Sequence, residues 1–175
     1  PNIPIIADMP YGSFHVNADE TVRHALRFIK EGNATAVKVE GGRKRAAIIR
    51  ALVDAEIPVM GHLGLTPQSV NKLGGYRVQG KSKSQAEQII DEAKFLEEAG
   101  CFAIVLECVT EDLAEKITAE LSIPTIGIGA GVGCDGQVLV YHDLLGLFDK
   151  IRPKFVKRYA ELRKVSVNAV SEYCT

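Results

Sequence analysis

Two ionisable residues share one face of a strand in an otherwise apolar run, and chemistry first becomes visible there. Thr35-Ala-Val-Lys-Val-Glu-Gly-Gly42 reads as a strand whose side chains alternate faces, so Lys38 and Glu40 lie on one face and Val37 and Val39 on the other. Burying that polar face without partners is costly, and Gly41-Gly42 ends the strand just after Glu40. The pattern fits a site at a strand's carboxyl end, although an edge strand with one wet face explains both charges equally well. Asp8 ends an earlier apolar run just before Met9-Pro10, where Asp is also a common turn residue. If the two strand ends are neighbours, Asp8 and Glu40 offer a pair of hard oxygen ligands of the kind Mg²⁺ takes, with its other positions on water or substrate. Glu107 closes a later apolar run with no cation beside it in sequence, which suits a general base. His62, inside Met60-Gly-His-Leu-Gly64, is expected to face a substrate, although a lone histidine is more often structural. His15, His24 and His142 lack the spacing of a shared metal site, and His24 reads as helix surface.

An internal repeat explains how such residues would be brought together. Glu31–Glu40 is echoed by Glu98–Glu107: each copy ends a helix, turns through Gly, runs an apolar strand and finishes on Glu. Alternating with these copies, Asn2-Ile-Pro, Glu56-Ile-Pro and Ser122-Ile-Pro each launch a strand, at a position where the missing N–H is tolerated. Alternating strand and helix patterns indicate βαβ units and a parallel sheet, and polar residues at successive strand ends favour a (β/α) barrel over an open doubly wound sheet.

The expected strands are Ile3–Asp8, the Lys38 strand, Pro58–His62, Phe102–Glu107, Pro124–Ile128 and a short Gln137–Val140, all in one domain spanning residues 1–175. Expected helices include one capped by Asn17 or Asp19 and stopped by Gly32, one over about Arg43 to Ala55, and one opened by a Ser84–Glu87 capping box and ending at Gly100. Two more span Glu111–Leu121 and a final stretch from about Pro153 that carries Phe155, Val156, Tyr159 and Leu162. The segment from Leu63 to Lys81 is too long for an ordinary βα connection and reads as a functional loop or lid. Gly131-Val-Gly-Cys-Asp-Gly136 has the spacing of a dinucleotide fingerprint, but a strand-like stretch follows it where a helix is required. NAD is therefore rejected, while an anion at that turn stays open.

Composition sets the outer limits. The chain has 175 residues, 46% hydrophobic and 25% charged, with a formal net charge of −1, so no basic excess points to nucleic acid. No apolar run approaches the ~20 residues of a transmembrane helix, and no signal-peptide pattern opens the sequence. Its four cysteines show no CxxC spacing, and Cys101 and Cys108 read as small core residues, so a cytoplasmic location is expected. The length falls short of the ~250 residues of a complete eight-fold barrel.

Several stretches carry a family resemblance: Ala7-Asp-Met-Pro10, Val37-Lys-Val-Glu-Gly-Gly42, Gly61-His-Leu-Gly-Leu-Thr-Pro-Gln-Ser69, Gly74-Gly-Tyr-Arg-Val-Gln-Gly80, Leu106-Glu-Cys-Val109 and Gly127-Ile-Gly-Ala-Gly131. With Asp135–Val140, His142-Asp143 and Pro153-Lys-Phe155, they resemble ketopantoate hydroxymethyltransferases from end to end and in order. The resemblance implies a (β/α)8 barrel of the phosphoenolpyruvate/pyruvate type. It implies transfer of a hydroxymethyl group from 5,10-methylenetetrahydrofolate to 3-methyl-2-oxobutanoate through a Mg²⁺-stabilised enolate, giving 2-dehydropantoate for pantothenate synthesis. By the same resemblance, Asp8 and Glu40 match ligands of one Mg²⁺ per subunit, Asp8 and Lys38 hold the α-keto acid, and Glu107 takes the proton. The implied partners are the keto acid, the folate and further copies of the chain, in a decamer, with no nucleic acid and no membrane. The family pattern opens with two further strand–helix units, the second ending in an Asp-Ser pair that matches nothing here. The chain is thus expected to hold strands three to eight of a barrel, with an incomplete metal site. Two rivals stay open: a phosphoenolpyruvate mutase or lyase relative, against which the Gly61–Gly80 loop argues, and an inactive fragment serving as an assembly module.

Overall fold

A computed structural model describes residues 3–151 and 153–175. Asn2, which opens the first Ile-Pro echo, lies outside them. Six parallel strands form one sheet in strict chain order: β1 (Ile6–Asp8), β2 (Ala36–Glu40), β3 (Val59–Gly64), β4 (Ala103–Glu107), β5 (Thr125–Ile128) and β6 (Gly136–Gln137). Sequential order is the order of a barrel. A doubly wound sheet reverses direction at a switch point, and this one does not. The fold is α/β, a partial TIM barrel.

Register decides which residues share a face. Asp8 pairs with Lys38 and Lys38 with Met60; Glu40 pairs with His62 and His62 with Val105; Gly64 pairs with Glu107 and Glu107 with Ile128. These residues face away from the helices. The alternate set, including Val37, Val39, Val59, Ile104 and Leu106, is fully buried in the hydrophobic core. Against it pack residues of α1 (Ala18–Lys30), α2 (Ala46–Asp54), α4 (Lys83–Glu98) and α5 (Glu111–Glu120), among them Ala25, Ile49, Leu52, Leu96 and Ile117, while the short α3 (Val70–Leu73) follows β3. The strongest helix-start signal holds: Asn17 Oδ1 accepts from the Glu20 N–H at 2.8 Å.

Local contacts revise several boundaries. The first strand is only Ile6–Asp8, with Ile3 and Ile5 exposed. A 3₁₀ turn, Arg43–Arg45, precedes α2, and β3 runs on to Gly64. The helix predicted to start at a Ser84–Glu87 box starts instead at Ser82, whose Oγ accepts from the Gln85 N–H at 3.3 Å. Ser82 and Gln85 have the same Ser-x-x-Gln spacing two residues earlier, so Ser84 falls inside the first turn. His24 is half-buried rather than surface, with its Nδ1 2.9 Å from the Ser13 carbonyl oxygen.

Pro1–Gln137 and Val138–Thr175 form two compact units. In the second, no helix starts at Pro153. Tyr159 N–H donates to Leu144 O at 2.8 Å and Leu162 N–H to Leu145 O at 3.0 Å, so the backbone groups a helix would need are used elsewhere. The helices of this unit are α6 (Tyr141–Leu144) and α7 (Leu162–Tyr173), and Val138–Val140 adds nothing to β6.

Candidate functional site

The carboxyl ends of β1 to β4 bring Asp8, Lys38, Glu40, His62 and Glu107 onto one face of the sheet. Lys38 Nζ lies 2.7 Å from Asp8 Oδ1 and 3.3 Å from His62 Nδ1. An ammonium can only donate, so Nδ1 must accept, and a neutral His62 then carries its hydrogen on Nε2. That atom is buried and lies 3.2 Å from Glu107 Oε2, yet it is out of line for a hydrogen bond and has no partner. The result is a chain of polar contacts across four strands: Asp8, Lys38, His62, Glu107. Glu107 is therefore not alone, as its sequence neighbours suggest. His62 reaches it from β3, because Gly64 and not His62 is its register partner.

Glu40 is held separately. Its Oε2 accepts the Gln68 backbone N–H at 3.0 Å, while Oε1 stays 3.9 Å from His62 Nδ1, beyond hydrogen-bond range. Burial pushes the Glu40 carboxyl above the usual carboxylate range, opposed by the charge of His62, the Gln68 N–H and Lys38. Asp8, by contrast, is open to solvent, with 66% of its side chain exposed against 16% for Lys38.

The site also contains a residue that the sequence did not single out. Gln68 lies in the 3₁₀ turn Pro67–Ser69, which follows β3. Its side-chain amide donates to the Met9 carbonyl at 2.8 Å, so this one residue ties the 63–81 segment to the ends of both β1 and β2. The amide orientation is fixed because its oxygen could not face another carbonyl, and Gln68 Oε1 is buried without a partner. Its sequence signals were its place in that long loop and in the Gly61–Ser69 stretch that carries the family resemblance.

Three carboxylates face one ammonium here, leaving two negative charges unbalanced when the ring is neutral. Hard oxygen donors with that excess fit a divalent cation such as Mg²⁺, with Asp8 and Glu40 as candidate ligands. No group of three or more His, Cys, Asp or Glu suited to a metal occurs among the described residues. The Gly131–Gly136 turn does not suit an anion. The Glu111 and Glu115 side chains pack against Gly131 and Gly133, and Glu111 Oε1 accepts from the Val132 N–H at 3.4 Å. The last glycine of that turn is the first residue of the two-residue strand β6. An open hollow of about 470 Å³ lined by Pro10, Ser13, His24, Phe28 and neighbours of α1 includes none of the site residues.

Comparison with known proteins adds an independent line. The sequence model of the family described as ketopantoate hydroxymethyltransferase matches residues 1–175. A relative from Clostridium botulinum (strain Alaska E43 / Type E3), named 3-methyl-2-oxobutanoate hydroxymethyltransferase, is 58% identical over 172 residues, covering 98% of this chain and 62% of the relative. One of the same name from Moorella thermoacetica is 59% identical over 169 residues, covering 97% of this chain and 63% of the relative. The chain thus spans a little under two thirds of the length of these curated relatives. Among solved structures, phosphonopyruvate hydrolase in complex with oxalate and Mg²⁺ superposes with a TM-score of 0.54 at 16% identity, covering 97% of this chain and 59% of that one. At that identity the likeness concerns the fold alone.

Proposed function

This chain belongs to the ketopantoate hydroxymethyltransferase family, and from that premise we propose that it carries the keto-acid half of a hydroxymethyl-transfer site. The substrate is 3-methyl-2-oxobutanoate, the one-carbon donor is 5,10-methylenetetrahydrofolate, and the product is 2-dehydropantoate. The observation that carries the reading is the contact chain from Asp8 through Lys38 and His62 to Glu107, which sets a cation and a carboxylate on opposite sides of one imidazole.

Lys38 binds and orients the keto acid by placing its ammonium against the substrate oxygens, where negative charge grows as the C3 proton leaves. Glu107 accepts that proton. His62, its Nδ1 held by Lys38, keeps an unbonded Nε2 hydrogen beside Glu107 and offers that donor to the incoming oxygen. The carbon pair left at C3 forms the new bond to the donor's methylene carbon as one of its two carbon–nitrogen bonds breaks, and that nitrogen takes up the proton removed from C3. Water then adds its oxygen to the same carbon as the second carbon–nitrogen bond breaks, its other proton goes to that nitrogen, and tetrahydrofolate leaves. Asp8 and Glu40 would hold Mg²⁺, which when bound supplies Lewis acidity towards the keto and carboxylate oxygens. Gln68 keeps Glu40 aligned and closes the 63–81 segment towards the strand ends.

The test is isotope exchange. Glu107→Gln should lower C3 proton exchange of 3-methyl-2-oxobutanoate in deuterated buffer by at least about a hundredfold, with Mg²⁺-dependent binding of the keto acid kept. Exchange near the parent rate would remove Glu107 from the role.

A further inference from the structure

The turns that follow β1 and β2 build a second feature beside the keto-acid site. Three rings and a guanidinium stand in a row from solvent to core. Tyr11, 75% exposed, lies 4.8 Å from His15 between ring centroids, and His15 lies 4.2 Å from Phe14. The Arg45 guanidinium sits 5.1 Å from the centroid of the buried Phe14 ring.

Cations border this ladder, and some of them form no ion pair among the described residues. Arg43 is used by the fold: it forms a two-pronged pair with Asp91 at 2.9 and 3.0 Å, and its backbone N–H donates to Glu92 Oε2 at 3.1 Å. These bonds anchor the 3₁₀ turn. Lys44 and Arg45, next along it, have no ion-pair partner among the described residues, nor has Lys72, and Arg45 Nε is buried without a hydrogen bond. The Lys44 side chain lies over Gly41, the residue after Glu40, with its Nζ 3.4 Å from where a Cβ on Gly41 would stand. That glycine has φ +106°, so both its conformation and the covering lysine exclude a side chain. Burial first, then the neighbouring charges of Arg45 and Lys72, lower the proton affinity of Lys44, and burial with Arg45 and Lys44 does the same to His15. The Glu92 and Glu40 carboxylates oppose that shift at Lys44 from beyond ion-pair range, so the three cations Lys44, Arg45 and Lys72 cluster there with no directly paired acid among the described residues.

We propose that this rim holds the one-carbon donor as a planar aromatic acid, its ring laid against Tyr11 and His15 and its carboxylate on Lys44 and Arg45. The inference rests on the proposed function and adds where the second substrate sits. A hydroxymethyl acceptor bound between Lys38 and Glu107 leaves the carboxyl ends of the strands as the side of approach, and the rim occupies those ends on β1 and β2. An exposed aromatic face offers stacking for any planar ring, while unpaired cations select one that bears a carboxylate.

Saturation-transfer NMR and calorimetry on the whole chain would test this with three probes: tetrahydrofolate, p-aminobenzoylglutamate alone, and 6-methyltetrahydropterin, which lacks the carboxylate tail. Lys44→Met should weaken tetrahydrofolate and p-aminobenzoylglutamate about tenfold, as for loss of one charged hydrogen bond, and leave the pterin unchanged. Tyr11→Leu should weaken all three. Arg45→Met could unfold the chain through Phe14, so Lys44 and Tyr11, both exposed, decide the matter. If Lys44→Met weakens 3-methyl-2-oxobutanoate and not tetrahydrofolate, the rim serves the keto acid and the proposal falls. Wild-type protein that exchanges the C3 proton, yet binds tetrahydrofolate equally well in both variants, overturns the rim and leaves the proposed function standing. Wild-type protein that neither exchanges the proton nor binds tetrahydrofolate overturns both.

Discussion

Gly64 lets β3 and β4 come together at the point where Glu107 is held, and replacing it with alanine should damage stability and site at once. Gly64 has φ +91°, in the region that L side chains rarely adopt, and a methyl there would collide with the Glu107 carbonyl oxygen and stand 2.7 Å from Val109 Cγ1. That carbonyl also accepts the Leu65 N–H at 2.8 Å, so the strand cannot move away without losing a buried bond. Backbone strain costs about 1–3 kcal/mol and forced overpacking another ~1–3, against about 0.4–1 recovered from the stiffer unfolded chain. Gly64→Ala should therefore lose about 2–5 kcal/mol. Gly74 gives the control: its φ is +70° but nothing lies within 4 Å of a Cβ there, so Gly74→Ala should lose no more than about 1–2 kcal/mol. Urea unfolding followed by circular dichroism measures both. Equal losses for the two variants would show that the close approach of Gly64 to Glu107 is not real, and with it the position of the proposed base.

Two further outcomes can be read from the same preparation. Because burial raises the Glu40 carboxyl, the folded state holds that proton more tightly than the unfolded chain. The stability it contributes is therefore full at pH values below the unfolded carboxylate range and falls as pH rises through the raised folded value. Glu40→Gln, which keeps an acceptor for the Gln68 N–H, should then be more resistant to urea than the parent at pH 7 without added divalent cation and lose that advantage at pH 4; an equal difference at both pH values would contradict the burial argument. Among the cysteines, burial pushes the Cys101 thiol up to about 12 and Cys108, with the Glu107 charge adding, to about 11, whereas Cys174 is exposed. Iodoacetamide at pH 8 should label Cys174 first and leave Cys101 unmodified in the folded protein, as peptide mass mapping would report; early labelling of Cys101 would mean that the turn leading into β4 is not packed as described.

The strands were legible because two local rules agree with the global one. Ile-Pro starts or apolar runs marked β1 to β5, and the echo of Glu31–Glu40 in Glu98–Glu107 marked the βαβ period, while β6 is shorter than its apolar stretch suggested. What escaped was decided by partners distant in sequence. Nothing near Tyr159 announces that its N–H goes to Leu144, and that bond, with that of Leu162 to Leu145, is what replaces the predicted helix from Pro153. Ser82 and Ser84 offer competing caps of nearly equal quality, and where the chain emerges from Gly80 selects the earlier one.

At the site, residue types could be read and their pairings could not. Consecutive parallel strands put carboxyl ends side by side, so Asp8, Lys38, Glu40, His62 and Glu107 had to converge once the sheet order followed the chain. Which of them meet depends on register and side-chain reach. Glu40 is the lateral partner of His62, yet His62 turns its Nδ1 to Lys38 and its Nε2 towards Glu107. The Gln68 N–H makes that choice possible, because it satisfies Glu40 from the loop side and leaves the imidazole free. A loop residue without ionisable chemistry thus settles which acid the histidine serves. Glu40, buried and held by Gln68, suits a fixed ligand, and Glu107, beside an unspent imidazole hydrogen, suits the acid that exchanges a proton.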